Sequence, residues 1–191
     1  GRDELELYAR QITAFLETLP CKLIIVACYS ATSAALPVLQ EQFATPIIGV
    51  VMPGARAAVA TSRYRKIGVL ATAATVASGA YSRAVRSLDS GAEVVQQACP
   101  GLVDHIEAGD LASQALNDAV RGFTEPLKAQ RPDVVIMGCT HYPLIAPMLR
   151  RFLGRDVTLI DPAAEIVREV EAVLARQGLE RPDETMGSYR F

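Results

Sequence analysis

Two cysteines stand where short apolar runs give out. Cys28 ends Leu23-Ile24-Ile25-Val26-Ala27 and is followed by Tyr29 and Ser30, while Cys139 ends Val134-Val135-Ile136-Met137-Gly138 and is followed by Thr140 and His141. An apolar run, a cysteine, a hydroxyl residue and then a helix-compatible stretch is the pattern of a buried strand turning into a helix. In an open α/β sheet such turns lie at the carboxyl ends of the strands, where ligands bind. Free N–H groups at a helix start lower a thiol's pKa. A thiolate near neutral pH is a usable base, and a neighbouring thiol a usable acid. Two of them flanking one small molecule would carry a proton off one face and return one to the other. His141 lies two residues beyond Cys139, close enough to hold or tune that thiol.

Other chemistries find little support in the chain. A free cysteine is most often a small core hydrophobe, and nothing around Cys21 or Cys99 argues for more. Four cysteines at wide, irregular spacing do not make a disulfide framework and fit a reducing cytoplasm. No Cys/His set has zinc spacing, and there is no glycine-rich phosphate loop. A pyridoxal enzyme needs a Schiff-base lysine, and the three lysines, Lys22, Lys66 and Lys128, stand at strand starts or near a helix end. No cofactor and no metal are therefore expected. On residue type alone Thr72 and Thr75 read as helix caps, Glu107 as a carboxylate closing a helical turn before Gly109, and Asp161 as the cap of the last helix.

The elements that must position the cysteines alternate strand and helix. Asp3 to Thr18 has apolar residues at helical spacing (Leu5, Ala9, Ile12, Phe15, Leu16), Lys22 to Ala27 is a strand, and Ala31 to Phe43 is a helix that Pro37 should kink or shorten. Ile47 to Val51 is a strand, Met52-Pro53-Gly54 a break, and Ala55 to Thr61 a helix of small residues. Lys66 to Leu70, Glu93 to Cys99, Val134 to Met137 and Val157 to Ile160 are further strands. Helices over Thr75 to Leu88, Leu111 to Ala129, Leu144 to Phe152 and Asp161 to Arg176 connect and follow them, and the tail from Glu180 is polar and loose. The fold class expected is α/β, with parallel sheets flanked by helices in two similar lobes and a site in the cleft between them. Lobe boundaries fall near residues 52 and 163, giving a first lobe of 1–52 plus 164–191 and a second of 53–163.

With 191 residues, half of them hydrophobic, the chain can build a sizeable core, and a formal charge of -2 gives no reason to expect nucleic acid or a membrane surface as partner. No apolar run approaches the roughly 20 residues of a membrane span, and no amino-terminal signal pattern is present. The partner expected is a small molecule.

The segments Val26-Ala27-Cys28 and Met137-Gly138-Cys139-Thr140-His141-Tyr142-Pro143-Leu144 resemble the two catalytic-cysteine signatures of the glutamate racemases, in the aspartate/glutamate racemase superfamily. Between them, Thr72-Ala73-Ala74-Thr75 with Ser78-Gly79-Ala80-Tyr81 is similar to the family's Thr-x-x-Thr loop. Cys99-Pro100 with Ile106-Glu107-Ala108-Gly109 resembles its Cys-Pro segment and following glutamate. Leu159-Ile160-Asp161-Pro162-Ala163 and Tyr189-Arg190-Phe191 match its carboxyl-terminal portion.

The resemblance implies a cofactor-independent two-base racemase, interconverting L- and D-glutamate for the bacterial cell wall, cytoplasmic and homodimeric. Cys28 and Cys139 would be the acid–base pair, assisted by His141 and Glu107 on the Cys139 side. Tyr29, Ser30, Thr72, Thr75 and Thr140 would line the substrate. The family's Asp-Ser-Gly-Val-Gly-Gly loop and Pro-Tyr-Gly element are not found, so the first lobe is expected to lack its first strand and loop. Tyr29 replaces the usual Asn and Ser30 the usual Thr. These departures predict weak activity or none for the chain by itself. They keep two other readings open, an aspartate racemase or related isomerase, and a non-catalytic relative that binds an acidic metabolite or a protein partner.

Overall fold

Among the described residues every strand pairs in parallel, and the two central ones of the larger sheet are apolar except for Lys66 at the start of one. The computed structural model describes residues 1–109, 111–181 and 186–189. Helix α1 (Arg2–Glu17) leads to β1 (Ile24–Val26), α2 (Tyr29–Gln42), β2 (Ile47–Gly49) and α3 (Val51–Thr61). Strand β3 (Lys66–Ala71) is followed by α4 (Ala73–Ser78), α5 (Ala80–Leu88), β4 (Glu93–Ala98), α6 (Leu102–Glu107) and α7 (Gln114–Ala129). Then come β5 (Val134–Gly138), a 3₁₀ turn (Tyr142–Ile145), α8 (Ala146–Leu153), β6 (Thr158–Ile160) and α9 (Ala163–Gln177).

The strands form two sheets, β1-β2 and β4-β3-β5-β6, each parallel and flanked by helices. Both faces of β3 and β5 are covered, which is why these strands read as unbroken apolar runs instead of alternating ones. One face packs on α3 and α5 through Ala55, Ala58, Val85 and Ile136. The other packs on α6, α7 and α8 through Ile106, Leu116, Leu127 and Leu149. A third, smaller core joins α1, α2, β1 and β2 through Ala9, Ile24, Leu39 and Ile47. Helix α9 lies against α3, tied by the Arg56–Glu169 ion pair. Just beyond it, Lys22 Nζ donates to the Leu179 carbonyl at 2.8 Å.

Register decides what the site receives. Ala71 pairs with Gly138 across β3 and β5, and with Ala98 across β3 and β4. The residues that follow these three, Thr72, Cys139 and Cys99, therefore emerge level with one another at the carboxyl edge of the four-stranded sheet.

Several expectations need correction. Met52-Pro53-Gly54 is no break but lies in the first turns of α3, where a proline forfeits only an N–H that has no partner within the helix. Pro37 does not shorten α2, which runs its full 14 residues. Thr75 to Leu88 is two helices, because Gly79 adopts φ 65° and ends the first. The last helix begins at Ala163 and not at Asp161, with Pro162 as its N-cap, and Asp161 accepts from the Ala163 N–H at 3.0 Å. On α1 the structure turns Ala9, Thr13 and Leu16 inward and leaves Tyr8, Ile12 and Phe15 more than half exposed, so the apolar residues of that helix do not share one face. In the tail, residues 182–185 and 190–191, including Arg190 and Phe191 of the carboxyl-terminal match, lie outside the described residues.

Gly138 shows how tightly the edge is built. A Cβ there would stand 2.9 Å from the Leu70 carbonyl oxygen, 3.0 Å from Ala71 Cβ and 3.2 Å from Tyr81 Cε2. Backbone cannot yield as a flexible side chain can, so Gly138→Ala is expected to cost on the order of 1–3 kcal/mol. Urea unfolding measures this, and an unshifted midpoint would contradict the packing described.

Candidate active site

Both cysteines sit at strand ends, but in different surroundings. Cys28 follows β1 by one residue and is the N-cap of α2, with φ -78° and ψ 124°; its carbonyl accepts from the Thr32 N–H at 2.8 Å. Its side chain is exposed. Cys139 directly follows β5 and is 7 % exposed, packed into the core on the α7–α8 face of the sheet. Burial, and to a lesser degree the charge of Cys28, pushes the Cys139 pKa up.

Beyond Cys139 the chain does not enter an α-helix, as expected, but turns once in 3₁₀ form over Tyr142–Ile145. Backbone N–H groups of Thr140 and His141 and the Thr140 hydroxyl favour the thiolate, yet burial outweighs them, and the Cys139 pKa is raised. This reverses the acidic thiol anticipated for a helix start.

A relay runs outward from that thiol. Cys139 Sγ lies 3.7 Å from His141 Nδ1, which is also 3.3 Å from Thr140 Oγ1. His141 Nε2 is 3.0 Å from Glu107 Oε1 at the end of α6. Glu107 thus does more than close a turn: its carboxylate orients the imidazole and favours a proton on Nε2, leaving Nδ1 to face the sulfur.

Three hydroxyls join the two sheets. Ser30 Oγ, in the first turn of α2, is 2.8 Å from Thr72 Oγ1 and 3.2 Å from Thr75 Oγ1. The two threonine hydroxyls are 3.2 Å apart. Thr72 is also the N-cap of α4, accepting from the Thr75 N–H at 3.4 Å, as its residue type suggested, whereas Thr75 lies within α4 and is not a cap. Thr75 is fully buried. Hydroxyls that donate to one another in this structure can redirect to a carboxylate without moving their backbone.

Tyr29 is the sequence-predicted residue whose placement differs most. Its side chain is 6 % exposed, stacked on Tyr81 with ring centroids 6.3 Å apart. Burial, with the Asp161 and Cys139 charges nearby, raises its hydroxyl pKa. Residue types did not reveal two further features. Cys99 and Tyr142 pack behind Cys139, with the Cys99 pKa pushed up to about 12 by burial. Arg2 and Arg83 line a cavity of about 690 Å³ that reaches Ser30 and Thr72. No local motif marks a distant arginine as part of a site. Among the described residues no group of three or more His, Cys, Asp and Glu could hold a metal ion, and no helix is long and apolar enough to cross a membrane.

Comparison with known proteins places this arrangement in context. Residues 3–170 match the family model for Asp/Glu/Hydantoin racemase. The glutamate racemase of Lactiplantibacillus plantarum is 41 % identical over 172 residues, covering 90 % of this chain and 63 % of that protein. That of Desulforudis audaxviator is 42 % identical over 176 residues, covering 92 % and 64 %. A solved glutamate racemase isoform of Bacillus anthracis superposes with a TM-score of 0.89 at 36 % identity, over 94 % of this chain and 67 % of that one. The Francisella tularensis enzyme, solved with D-glutamate, gives 0.88 at 28 % identity, over 96 % and 68 %. The chain spans a little under two thirds of the length of these curated relatives.

The thiol environments predict an order of reaction. Because the thiolate is the nucleophile, iodoacetamide should label exposed Cys28 first. Cys139 should follow, its rate still climbing above the pH of roughly 8.5 at which an ordinary thiol is half ionised. Cys99 should resist until strongly alkaline pH. Mass-spectrometric mapping of each cysteine against time and pH checks this, and Cys139 labelling ahead of Cys28 at neutral pH would contradict it.

Proposed function

The chain belongs to the Asp/Glu/Hydantoin racemase family, and from that premise we propose that its cysteine pair racemises glutamate by proton transfer between two bases, without a cofactor. The observation that carries the reading is that two cysteines are delivered by different sheets, one as the α2 N-cap and one at the end of β5, with the Ser30 hydroxyl of α2 within 2.8 Å of Thr72 Oγ1 at the same sheet edge as Cys139. Relatives near 40 % identity named glutamate racemase support it, as does the Francisella structure with D-glutamate bound.

In this reading L-glutamate lies between the sulfurs. One cysteine, as thiolate, takes the α-proton and becomes a thiol. The other, as thiol, gives its proton to the opposite face of the carbanion and becomes a thiolate. The α-carbon is inverted and no net proton is consumed. His141, oriented by Glu107, takes up and returns the Cys139 proton through Nδ1, offsetting the burial that disfavours this thiolate. Ser30, Thr72, Thr75 and Thr140 bind the carboxylate and ammonium groups, and Tyr29 bounds the pocket. The described residues of 1–52 and 164–191 would make one lobe and those of 53–163 the other, with substrate held between them. The product would supply D-glutamate for peptidoglycan in the cytoplasm, from a homodimer.

Tyr29 favours a second reading. With the Tyr29 ring buried against Tyr81, this position does not supply the contacts of the family's amide, which leaves the shorter dicarboxylate aspartate as the alternative substrate. Following the optical rotation of L-glutamate and of L-aspartate in parallel separates the two, because the true substrate racemises and the other does not. With that substrate, Cys28→Ser and Cys139→Ser should each lower racemisation by roughly 10²–10⁴-fold. Near-normal turnover in either variant would remove the two-base assignment.

A further inference from the structure

Cys28 and Cys139 belong to different sheets, so their separation depends on how those sheets are held together at this edge. We infer that Tyr29 is a positioning residue that sets this separation, its ring clamping the Cys28 corner onto the backbone that carries Cys139. The inference deepens the proposed two-thiol reading and rests on it.

The path can be followed atom by atom. Tyr29 directly follows Cys28 and is the first residue of α2. Other buried residues of that helix, Ala35 and Leu39, pack into the small core with α1, β1 and β2. Tyr29 instead enters the core of the four-stranded sheet, among Ala55, Ala71 and Ile160. Its ring stacks on Tyr81 at 6.3 Å with an interplanar angle of 25°. Tyr81 is wholly buried and leans on Gly138 so closely that a Cβ on that glycine would stand 3.2 Å from Tyr81 Cε2. Gly138 is bonded to Cys139. One ring pair thus connects the two cysteine backbones, with a single stacked contact and a single close approach between them.

On its far side Tyr81 is wedged by α3. A Cβ on Gly54 would stand 3.1 Å from the Tyr81 hydroxyl and 3.0 Å from Pro162 Cγ. Glycine on both sides lets the ring fit, and close packing on both sides leaves it little freedom to shift. The Tyr81 hydroxyl is buried without a hydrogen-bond partner. Tyr29 contributes its ring to the clamp, while burial, with the Asp161 and Cys139 charges, raises the pKa of its hydroxyl.

A short bifunctional thiol reagent such as dibromobimane tests the clamp without any substrate, so the result stands apart from whether the chain racemises glutamate. The wild type and Tyr29→Phe should form the Cys28–Cys139 cross-link at the same rate, since both keep the ring. Tyr29→Leu and Tyr81→Leu should form it roughly tenfold more slowly, as expected when two reacting groups lose registry. Labelling of Cys28 by monobromobimane should not change in any of them. Tyr29→Met serves as a second filler without a ring if the leucine variant fails to give a cooperative thermal melt. Peptide mapping identifies the linked pair. Cross-linking of the leucine or methionine variants at the wild-type rate, slowing by Tyr29→Phe, or no Cys28–Cys139 link in the wild type would each overturn the assignment.

Discussion

The alignment of β3 with β5, Ala71 level with Gly138, is the constraint on which the site depends. A parallel ladder ends its strands together, and so Thr72, Cys99 and Cys139 leave the sheet side by side. Shifting the register by one residue would turn Cys139 to the opposite face and exchange its buried neighbours. Continuous apolar runs buried on both faces hold that register, and Gly138 admits the Tyr81 ring at the edge. The first sheet adds Cys28 and Ser30 from one helix start, and the Ser30–Thr72–Thr75 hydroxyls close the gap between the sheets.

The two thiols are not equivalent. Cys28 is exposed, while Cys139 is buried with its pKa raised and backed by Cys99 and Tyr142. A buried thiol is a better acid partner than base unless something stabilises its anion. The His141–Glu107 pair stands on the Cys139 side, where it would supply that stabilisation. In the proposed racemisation such an asymmetric pair would divide the labour of proton removal and return unequally between the two directions of reaction.

Much of this was legible in the residues. Apolar runs ending in cysteine located both site strands, and the alternation of strand and helix indicated parallel sheets. The Gly-Cys-Thr-His-Tyr-Pro-Leu string pointed to His141. Glu107 came from the family resemblance, because a carboxylate 34 positions from its imidazole leaves no local trace. Elements that failed did so where tertiary contact or first-turn geometry overrode a local signal. Pro53 and Gly54 read as a break, but a proline in a helix's first turn loses no bond. Burial of the Tyr29 ring against Tyr81 was likewise not visible from its place after Cys28. Which core its ring would enter depends on Tyr81 and on a glycine more than a hundred residues away.

The central claim is that two monoprotic bases work from opposite faces of one substrate. Racemisation of L-glutamate in deuterium oxide, stopped after a small fraction has turned over, tests it directly. The account predicts D-glutamate carrying deuterium at the α-carbon while the remaining L-glutamate stays unlabelled, since the base that removes a proton is not the one that delivers the solvent-derived deuteron. Equal α-deuteration of recovered L-glutamate and of product at that stage would mean one base serving both faces, and would contradict it.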